Sequence, residues 1–312
     1  MKLNQLWMIA IVCGLAFATT GIAAEKVDLK LDLKKGQSYP LLATIDSKVV
    51  QTMGGQQQTI DQSMAIYYTM KVTDVAADGT MDVTVTYDRV RMNMKNPAGN
   101  IEYDSDKTKP EETPMMARGF AGLVGSKLDL KITPKGKVTD VKGADELLKR
   151  MIDKMELQEP QKSMVETQLK QQFGPEAIRK SFEQMTAFYP EKPVAPGESW
   201  TQKVPLAMGF PILTETTYTL KEVKGDAVVI DMKGTVSTDP KQPMKMGPQQ
   251  MVYDLKGEQT GTITLDKSSG WIQTGKAQQN LDGSVKLQGG GQDLEIPMKI
   301  QTDMAFGAPK KE

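Results

Sequence analysis

Tyr68-Thr69-Met70-Lys71-Val72-Thr73-Asp74-Val75-Ala76-Ala77-Asp78-Gly79-Thr80-Met81-Asp82-Val83-Thr84-Val85-Thr86-Tyr87-Asp88-Arg89-Val90-Arg91-Met92-Asn93-Met94 is the stretch that decides the fold class. Apolar and polar residues alternate on both sides of Ala77-Asp78-Gly79. A period of two puts every second side chain on one face of a strand. Gly tolerates positive φ and Asp bonds to nearby backbone, so the middle reads as a turn. Before the turn, Ile60, Met64, Ile66, Tyr68, Met70 and Val72 share one parity; after it, Met81, Val83, Val85 and Tyr87 do. The parity then slips, because Val90, Met92 and Met94 are offset by one. A strand keeps its core face through such a slip only by carrying an extra residue, which predicts a β-bulge near Asp88-Arg89.

The same alternation extends outward. Val27, Leu29, Leu31 and Leu33 predict a strand with one buried face, and so do Leu128, Leu130 and Ile132 ahead of the turn Pro134-Lys135-Gly136. Near the end Leu294, Ile296, Met298, Ile300, Met304 and Phe306 alternate again. The centre of the chain has another period. Leu147, Leu148, Met151, Ile152 and Met155, then Val165, Leu169 and Phe173, then Ile178, Phe182, Met185 and Tyr189 recur at helical spacing. Residues 144–189 therefore predict three amphipathic helices, the last opening on Pro175, whose φ is pre-set for a first helical position. Met115 to Val124 predicts a shorter apolar helix, and Lys192-Pro193-Val194-Ala195-Pro196-Gly197 an extended linker.

The two β-rich flanks resemble each other. Gly36-Gln37-Ser38-Tyr39 opens the first and Gly197-Glu198-Ser199-Trp200 the second. Tyr68-Thr69-Met70-Lys71-Val72 is matched by Tyr218-Thr219-Leu220-Lys221-Glu222-Val223, and the strand at Met81 by the one at Ala227. Leu130 to Gly136 is matched by Gly261 to Lys267, with Gly270 completing the turn. The expected architecture is a mainly β, β-rich α+β fold: curved antiparallel sheets from a duplicated β unit, with a three-helix block inserted between the copies. The expected divisions are a signal peptide at 1–24, a first antiparallel β unit at 25–142, the helical block and linker at 143–192, a second antiparallel β unit at 193–306, and a disordered tail at 307–312.

The leader differs from the rest of the chain. Lys2 is its only charge, Leu6 to Phe17 is apolar, and Ala18 to Ala24 is small and weakly polar, as in a secretory signal. An apolar run of about 12 is short of the roughly 20 residues that cross a bilayer. The chain is thus expected to be exported, to the periplasm or beyond, with no stable membrane span after cleavage. Cys13 is the sole Cys and lies inside the leader; Val12 precedes it where a lipid-attachment site has a small residue. The 312 residues carry 39 Lys plus Arg against 39 Asp plus Glu. Without clustered basic charge, nucleic acid is not an expected partner.

Absence narrows the chemistry further. The chain has no His, and its Cys leaves with the leader. A Ser-His-Asp triad, a His-ligated zinc and thiol catalysis are excluded. Tyr39 and Trp200 stand where a nucleophile elbow needs its second Gly. Gly289-Gly290-Gly291 follows no strand-to-helix switch, so it reads as a loop. Glu102-Tyr103-Asp104-Ser105-Asp106 offers carboxylates that could hold a hard cation or act as an acid/base pair, although EF-hand spacing is lacking. Asp82 and Asp88 lie opposite the Met-Val-Tyr face and are read as outward-pointing. Methionine is abundant at 21, with Met92 and Met94 on one strand face and Met244 and Met246 in a Pro-bounded loop. Thioethers fill irregular cores, adapt to varied apolar partners, or bind Cu(I). No cofactor or metal is expected.

The openings Gly36-Gln37-Ser38-Tyr39 and Gly197-Glu198-Ser199-Trp200, with Asp78 to Val90, Ala117-Arg118-Gly119-Phe120 and Tyr189-Pro190-Glu191-Lys192-Pro193-Val194, carry a resemblance. Over about Leu29 to Phe306 the chain resembles an uncharacterised family of exported bacterial proteins, the domain-of-unknown-function family 6263. The resemblance implies a secreted β-rich body and brings no catalytic residues. More loosely, the architecture is similar to half-barrel periplasmic lipoprotein carriers. The resulting expectation is a non-catalytic extracytoplasmic binding protein for an apolar small molecule or an envelope protein segment. The alternatives are a structural or envelope-interaction protein without a small ligand and, third, a carboxylate-based hydrolase. Helical stripes that fit the sheet incompletely would leave an apolar cleft, with Met151, Met155, Phe173, Phe182 and Met185 as its candidate lining.

The small residues before Glu25 predict a mature chain starting at Ala24 or Glu25. Intact mass spectrometry of protein from an envelope fraction checks this; a retained Met1 or an acylated Cys13 would refute it.

Overall fold

The computed structural model describes residues 25–309 except 98, 208–210, 242, 247–248 and 290–292. The expected signal peptide and the last three residues of the expected tail lie outside the described residues. The first β unit comprises β1 (Ser38–Met53), β2 (Gln56–Val75), β3 (Met81–Asn96), β4 (Gly99–Asp104), β5 (Lys127–Ile132) and β6 (Val138–Lys142), with the short helix α1 (Met115–Ala121) between β4 and β5. Three helices follow: α2 (Ala144–Met155), α3 (Gln161–Phe173) and α4 (Pro175–Met185). The second unit comprises β7 (Ser199–Ala207), β8 (Pro211–Lys224), β9 (Ala227–Thr238), β10 (Met244–Met246), β11 (Gln249–Asp266), β12 (Ile272–Gln288) and β13 (Leu294–Gly307). The expected tail thus starts inside β13 at Gly307, and the Met244–Met246 loop is a short strand on β11.

All thirteen strands join one sheet in the order β6-β5-β3-β2-β1-β13-β12-β11-β9-β8-β7, with β4 on β3 and β10 on β11, and every pairing is antiparallel. The fold is β-rich α+β. Its units meet at the centre, where the first strand pairs with the last from Leu42↔Gly307 to Gln51↔Met298. The predicted bulge is present: Tyr67 faces Arg89 and Tyr68 faces Tyr87, leaving Asp88 as the extra residue. The slip returns Val90 and Met92 to the buried face.

One expected strand is absent. Residues 27–33 alternate as read, and Leu29, Leu31 and Leu33 are only 4%, 4% and 1% exposed. Yet this segment joins no strand of the sheet, apart from one bridge between Val27 and Val194. It threads between two turns, where the Leu31 N–H donates to the Pro134 carbonyl and the Asp32 N–H to that of Ser269, both at 2.8 Å. Alternation reports an extended half-buried chain and is silent about what the chain pairs with.

The two units share several backbone details. Gly36 donates to the Val72 carbonyl and Val72 to that of Gln37; Gly197 donates to Leu220 and Leu220 to Glu198. A register shift follows Val72 in β2 and Leu220 in β8. Another separates Lys131 from Ile132, and Thr264 from Leu265. Tyr39 and Trp200 hold like positions, but Val72 corresponds to Leu220, so the alignment read from Tyr68 and Tyr218 is displaced by two residues.

Glycine sets the units apart. Gly234, Gly257, Gly261 and Gly283 occupy inner-face positions of β9, β11 and β12, where an added Cβ would run into the main chain of the next strand. Such close backbone approach marks sharp strand bending. Over Gly257, Val236 of β9 and Leu281 of β12 join one small cluster with Ile212 and Ile300. The second unit therefore curls and buries much of its own inner face. The main core joins both units, the threaded segment, α1, α2 and α4.

Gly36 and Gly270 separate two costs. Both have positive φ, +83° and +69°, but Cβ space at Gly36 is open whereas at Gly270 it is filled by the Lys30 carbonyl. Gly36→Ala is expected to cost about 1–2 kcal/mol from backbone strain, and Gly270→Ala distinctly more, measured by urea unfolding of the mature chain.

Candidate functional site

The expected cleft residues separate into three places. Phe182 and Met185 of α4 border an enclosed apolar space with Leu31, Leu41, Met70 and Trp271, but its volume is about 20 Å³. That is room for roughly one water. Tyr68 donates its hydroxyl to the Met185 sulfur at 3.2 Å. Burial pushes the Tyr68 phenol far above its ordinary range and that of neighbouring Tyr87 up to about 12. Met151 lies under α1, where a Cβ at Gly122 would stand 2.6 Å from its Cα, and Met155 abuts Gly119. Phe173, at the end of α3, is half-buried against the core. Of the five, Phe182 and Met185 border this small space, where Phe182, Phe188, Tyr189 and Trp271 close the helix-to-sheet contact at α4. The expected stripe on α3 is weak too, since no residue of that helix is fully buried.

Element lengths explain where the sheet stays uncovered. The 20 residues of β2 extend about 66 Å at roughly 3.3 Å each, whereas the 11 of α4 reach about 17 Å at roughly 1.5 Å each. The helices cover one end of the strands, and beyond them the inner face continues. There Ile45 and Val49 of β1, Ile60 of β2, Met94 of β3, and Met298 and Met304 of β13 are half-buried and belong to neither packed cluster. Their shared face follows from the register: Ile45↔Met64, Ile45↔Met304, Val49↔Ile60 and Val49↔Ile300. Parity in the sequence marked Ile60, Met64, Met298, Ile300 and Met304 as one-faced; Ile45 and Val49 were missed, although Leu41, Ala43, Ile45 and Val49 also alternate.

The outer face is polar. Three adjoining hollows of about 480, 500 and 400 Å³ run across β3, β2, β1, β13, β12 and β11 around Asp46. Asp46 directly opposes Asp303, which accepts a hydrogen bond from Gln278 at 3.0 Å. At the β4 end, the carboxylates read as a possible cation or acid/base site already hold a cation of the protein. Arg89 forks onto Asp104 at 2.9 and 2.7 Å, reaches Asp106 at 3.2 Å, and lies 5.4 Å from the centre of the Tyr67 ring. The Arg89 guanidinium holds the Asp104 carboxyl below its usual value, against a smaller opposing effect of burial. Asp82 pairs with Lys131 and Asp88 accepts from Thr69, both outward. Among the described residues no three His, Cys, Asp or Glu are grouped to hold a metal, and no helix is long and apolar enough to cross a membrane.

A family model described as "Family of unknown function (DUF6263)" matches residues 78–272. No curated protein matches the chain. Among solved structures the chain is similar to lipovitellin, in a study of lipid-protein interactions, at 10% identity over 89% of this chain and 26% of that one, with TM-score 0.47. It is also similar to DynF from the dynemicin biosynthesis pathway of Micromonospora chersina, at 10% identity, 93% and 88% coverage and TM-score 0.21. Salmonella typhi OmpF in complex with daunomycin matches at 7% identity, 86% and 98% coverage and TM-score 0.19. The chain spans about a quarter of the lipovitellin chain's length.

Two outcomes follow from this packing. Phe182→Ala should cost about 3–5 kcal/mol in urea unfolding, as for a fully packed ring. Asp104 has a folded pKa below its unfolded value, so its stabilisation is present above that unfolded value and is lost as pH falls through the folded one. Asp104→Asn should cost about 1.5–3 kcal/mol at neutral pH and should flatten the loss of stability expected below about pH 4.

Proposed function

The chain belongs to this family of unknown function, and on that footing we propose that it is a non-catalytic binding protein, exported to the periplasm or beyond, that receives an apolar partner on the open part of its inner sheet face. The observation that carries the reading is the strip Ile45, Val49, Ile60, Met94, Met298 and Met304, which shares a face with the core yet packs into neither cluster. Contiguous apolar surface left partly in water marks interaction sites. Methionine suits such a surface, because its unbranched thioether refits to partners of differing shape. The sealed space of about 20 Å³ at α4 favours a partner laid on the face over a small molecule enclosed beneath the helices. The same observation supports the second reading, an envelope-interaction protein with no small ligand. On this proposal the two β units are copies of one ancestral unit, supported by their matching hydrogen bonds and register shifts.

N-phenyl-1-naphthylamine, a neutral dye that brightens in apolar sites, tests the reading on the mature chain. Dye binding is expected, at least tenfold weaker in Met304→Asp and unchanged in Phe182→Ala at temperatures where that variant stays folded. A parent protein that leaves the dye dark would retire the apolar face and favour interaction through the polar outer surface.

A further inference from the structure

Sulfur chemistry is a property of this chain that neither the core nor the inner face uses up. Cys13, its one Cys, lies outside the described residues, so among these the methionine thioether is the only sulfur. Its lone pair attacks two-electron oxidants, and susceptibility follows exposure. The methionines differ widely in that respect. Met70, Met81, Met92 and Met151 are only 1–4% exposed. The Met185 sulfur lies at the small space under α4 and accepts the Tyr68 hydroxyl. At the other extreme Met115 is 74% exposed, Met164 71%, Met116 58% and Met53 37%. The Met53 sulfur accepts a hydrogen bond from the Gln51 amide at 3.6 Å. Among the described residues none donates to the sulfurs of Met115, Met116 and Met164.

These three belong to the helical part of the molecule. Met115 and Met116 open α1, Met164 stands in the first turn of α3, and both helices pack on α2. On its packed side α1 turns Gly119 and Gly122 toward Met155 and Met151 of α2. Arg118 ties the same helix to Glu156 at 2.8 Å. α3 buries none of its residues fully. Neither helix therefore relies on the exposed thioethers for its packing. A sulfoxide is polar and disrupts a core, but at an exposed position water solvates it.

We propose that Met115, Met116 and Met164 are sites of reversible sulfur oxidation, converted to sulfoxides by hydroperoxides while the fold persists. This goes beyond the inner-face reading and does not depend on it. In each step the thioether sulfur attacks a peroxide oxygen; the S–O bond forms and the O–O bond breaks. The sulfur loses two electrons and the peroxide gains them. With hydrogen peroxide, the hydroxide released takes up the proton shed by the S–OH group and leaves as water. Sulfoxide reductases reverse the change: two thiols supply the electrons and become a disulfide, and the oxygen leaves as water. The helical part of the chain thus takes up two-electron oxidants at positions where the change costs the fold nothing, while the buried thioethers stay intact.

The test treats the mature chain with hydrogen peroxide and follows each methionine by peptide mass spectrometry. Met115, Met116 and Met164 are expected to gain one oxygen each about tenfold faster than Met70, Met81, Met92 and Met151. The melting temperature should be unchanged once those three are oxidised, and a sulfoxide reductase with a dithiol should restore the original mass. The triple variant Met115→Leu, Met116→Leu, Met164→Leu should melt with the parent, because the exchange conserves volume, and should lack the fast phase. Uniform oxidation of all methionines, or a fast phase that survives in the triple variant, would overturn the assignment. A melting temperature that falls as the three are oxidised would overturn the claim that the fold tolerates the change.

Discussion

The antiparallel pairing of β1 with β13 is the constraint on which the rest of the molecule depends. It joins residues some two hundred and fifty positions apart, as in Ser47↔Thr302, and turns two meanders into one sheet. Without it, β1 and β13 would each be an edge with unpaired main-chain groups, and edges invite pairing with other chains. Placing the first and last strands at the centre leaves β6 and β7 as the outermost strands. β6 has five residues, and the Val138 N–H donates to Glu183 of α4, while Trp200 of β7 donates its indole N–H to the Phe188 carbonyl. Helical-block residues thus hold both edges at the end where the core lies. Such long-range closure implies slow folding, because loop-closure entropy is lost before the pairing rewards it.

The threaded segment follows from the same closure. Two corresponding turns, around Pro134 and Ser269, approach each other at the floor of the core, and residues 27–33 fill the gap. Lys135 and Asp28 pair beside it at 2.7 Å, and Lys26 and Glu198 at 3.0 Å. These exposed pairs fix direction more than they stabilise; the three leucines supply the burial.

Much of this was legible in the residues. Parity gave the β-rich class, the Asp88 bulge and the faces of β2, β3, β5 and β13, since a period of two leaves little freedom once one face is apolar. Helical spacing gave the apolar faces of α2 and α4, although the last stripe was read through Tyr189 and α4 ends at Met185. Partners were illegible wherever they are distant in sequence. Leu29, Leu31 and Leu33 declare burial but say nothing of the turns they meet. Met151, Met155, Phe173, Phe182 and Met185 declare apolar helix faces, but whether those faces seal or leave a cleft depends on Phe188, Tyr189 and Trp271 arriving from elsewhere. Asp104 looked available because Arg89 is fifteen residues away and reaches it across a strand pair.

The location of the open strip follows from an asymmetry between the two β units. In the second unit, inner-face glycines at 234, 257, 261 and 283 let the strands bend until Val236 and Leu281 meet. In the first unit β1, β2 and β3 carry Ile45, Ile60 and Met94 on the inner face, and none of these strands contains a glycine. Side chains of that size hold neighbouring strands to ordinary spacing, and with nothing over them they remain partly in water. The curled unit satisfies its inner face by itself and the flatter one does not. On the proposed function a partner would therefore meet β3, β2, β1 and β13, where Ile45, Val49, Ile60, Met94, Met298 and Met304 lie outside both packed clusters.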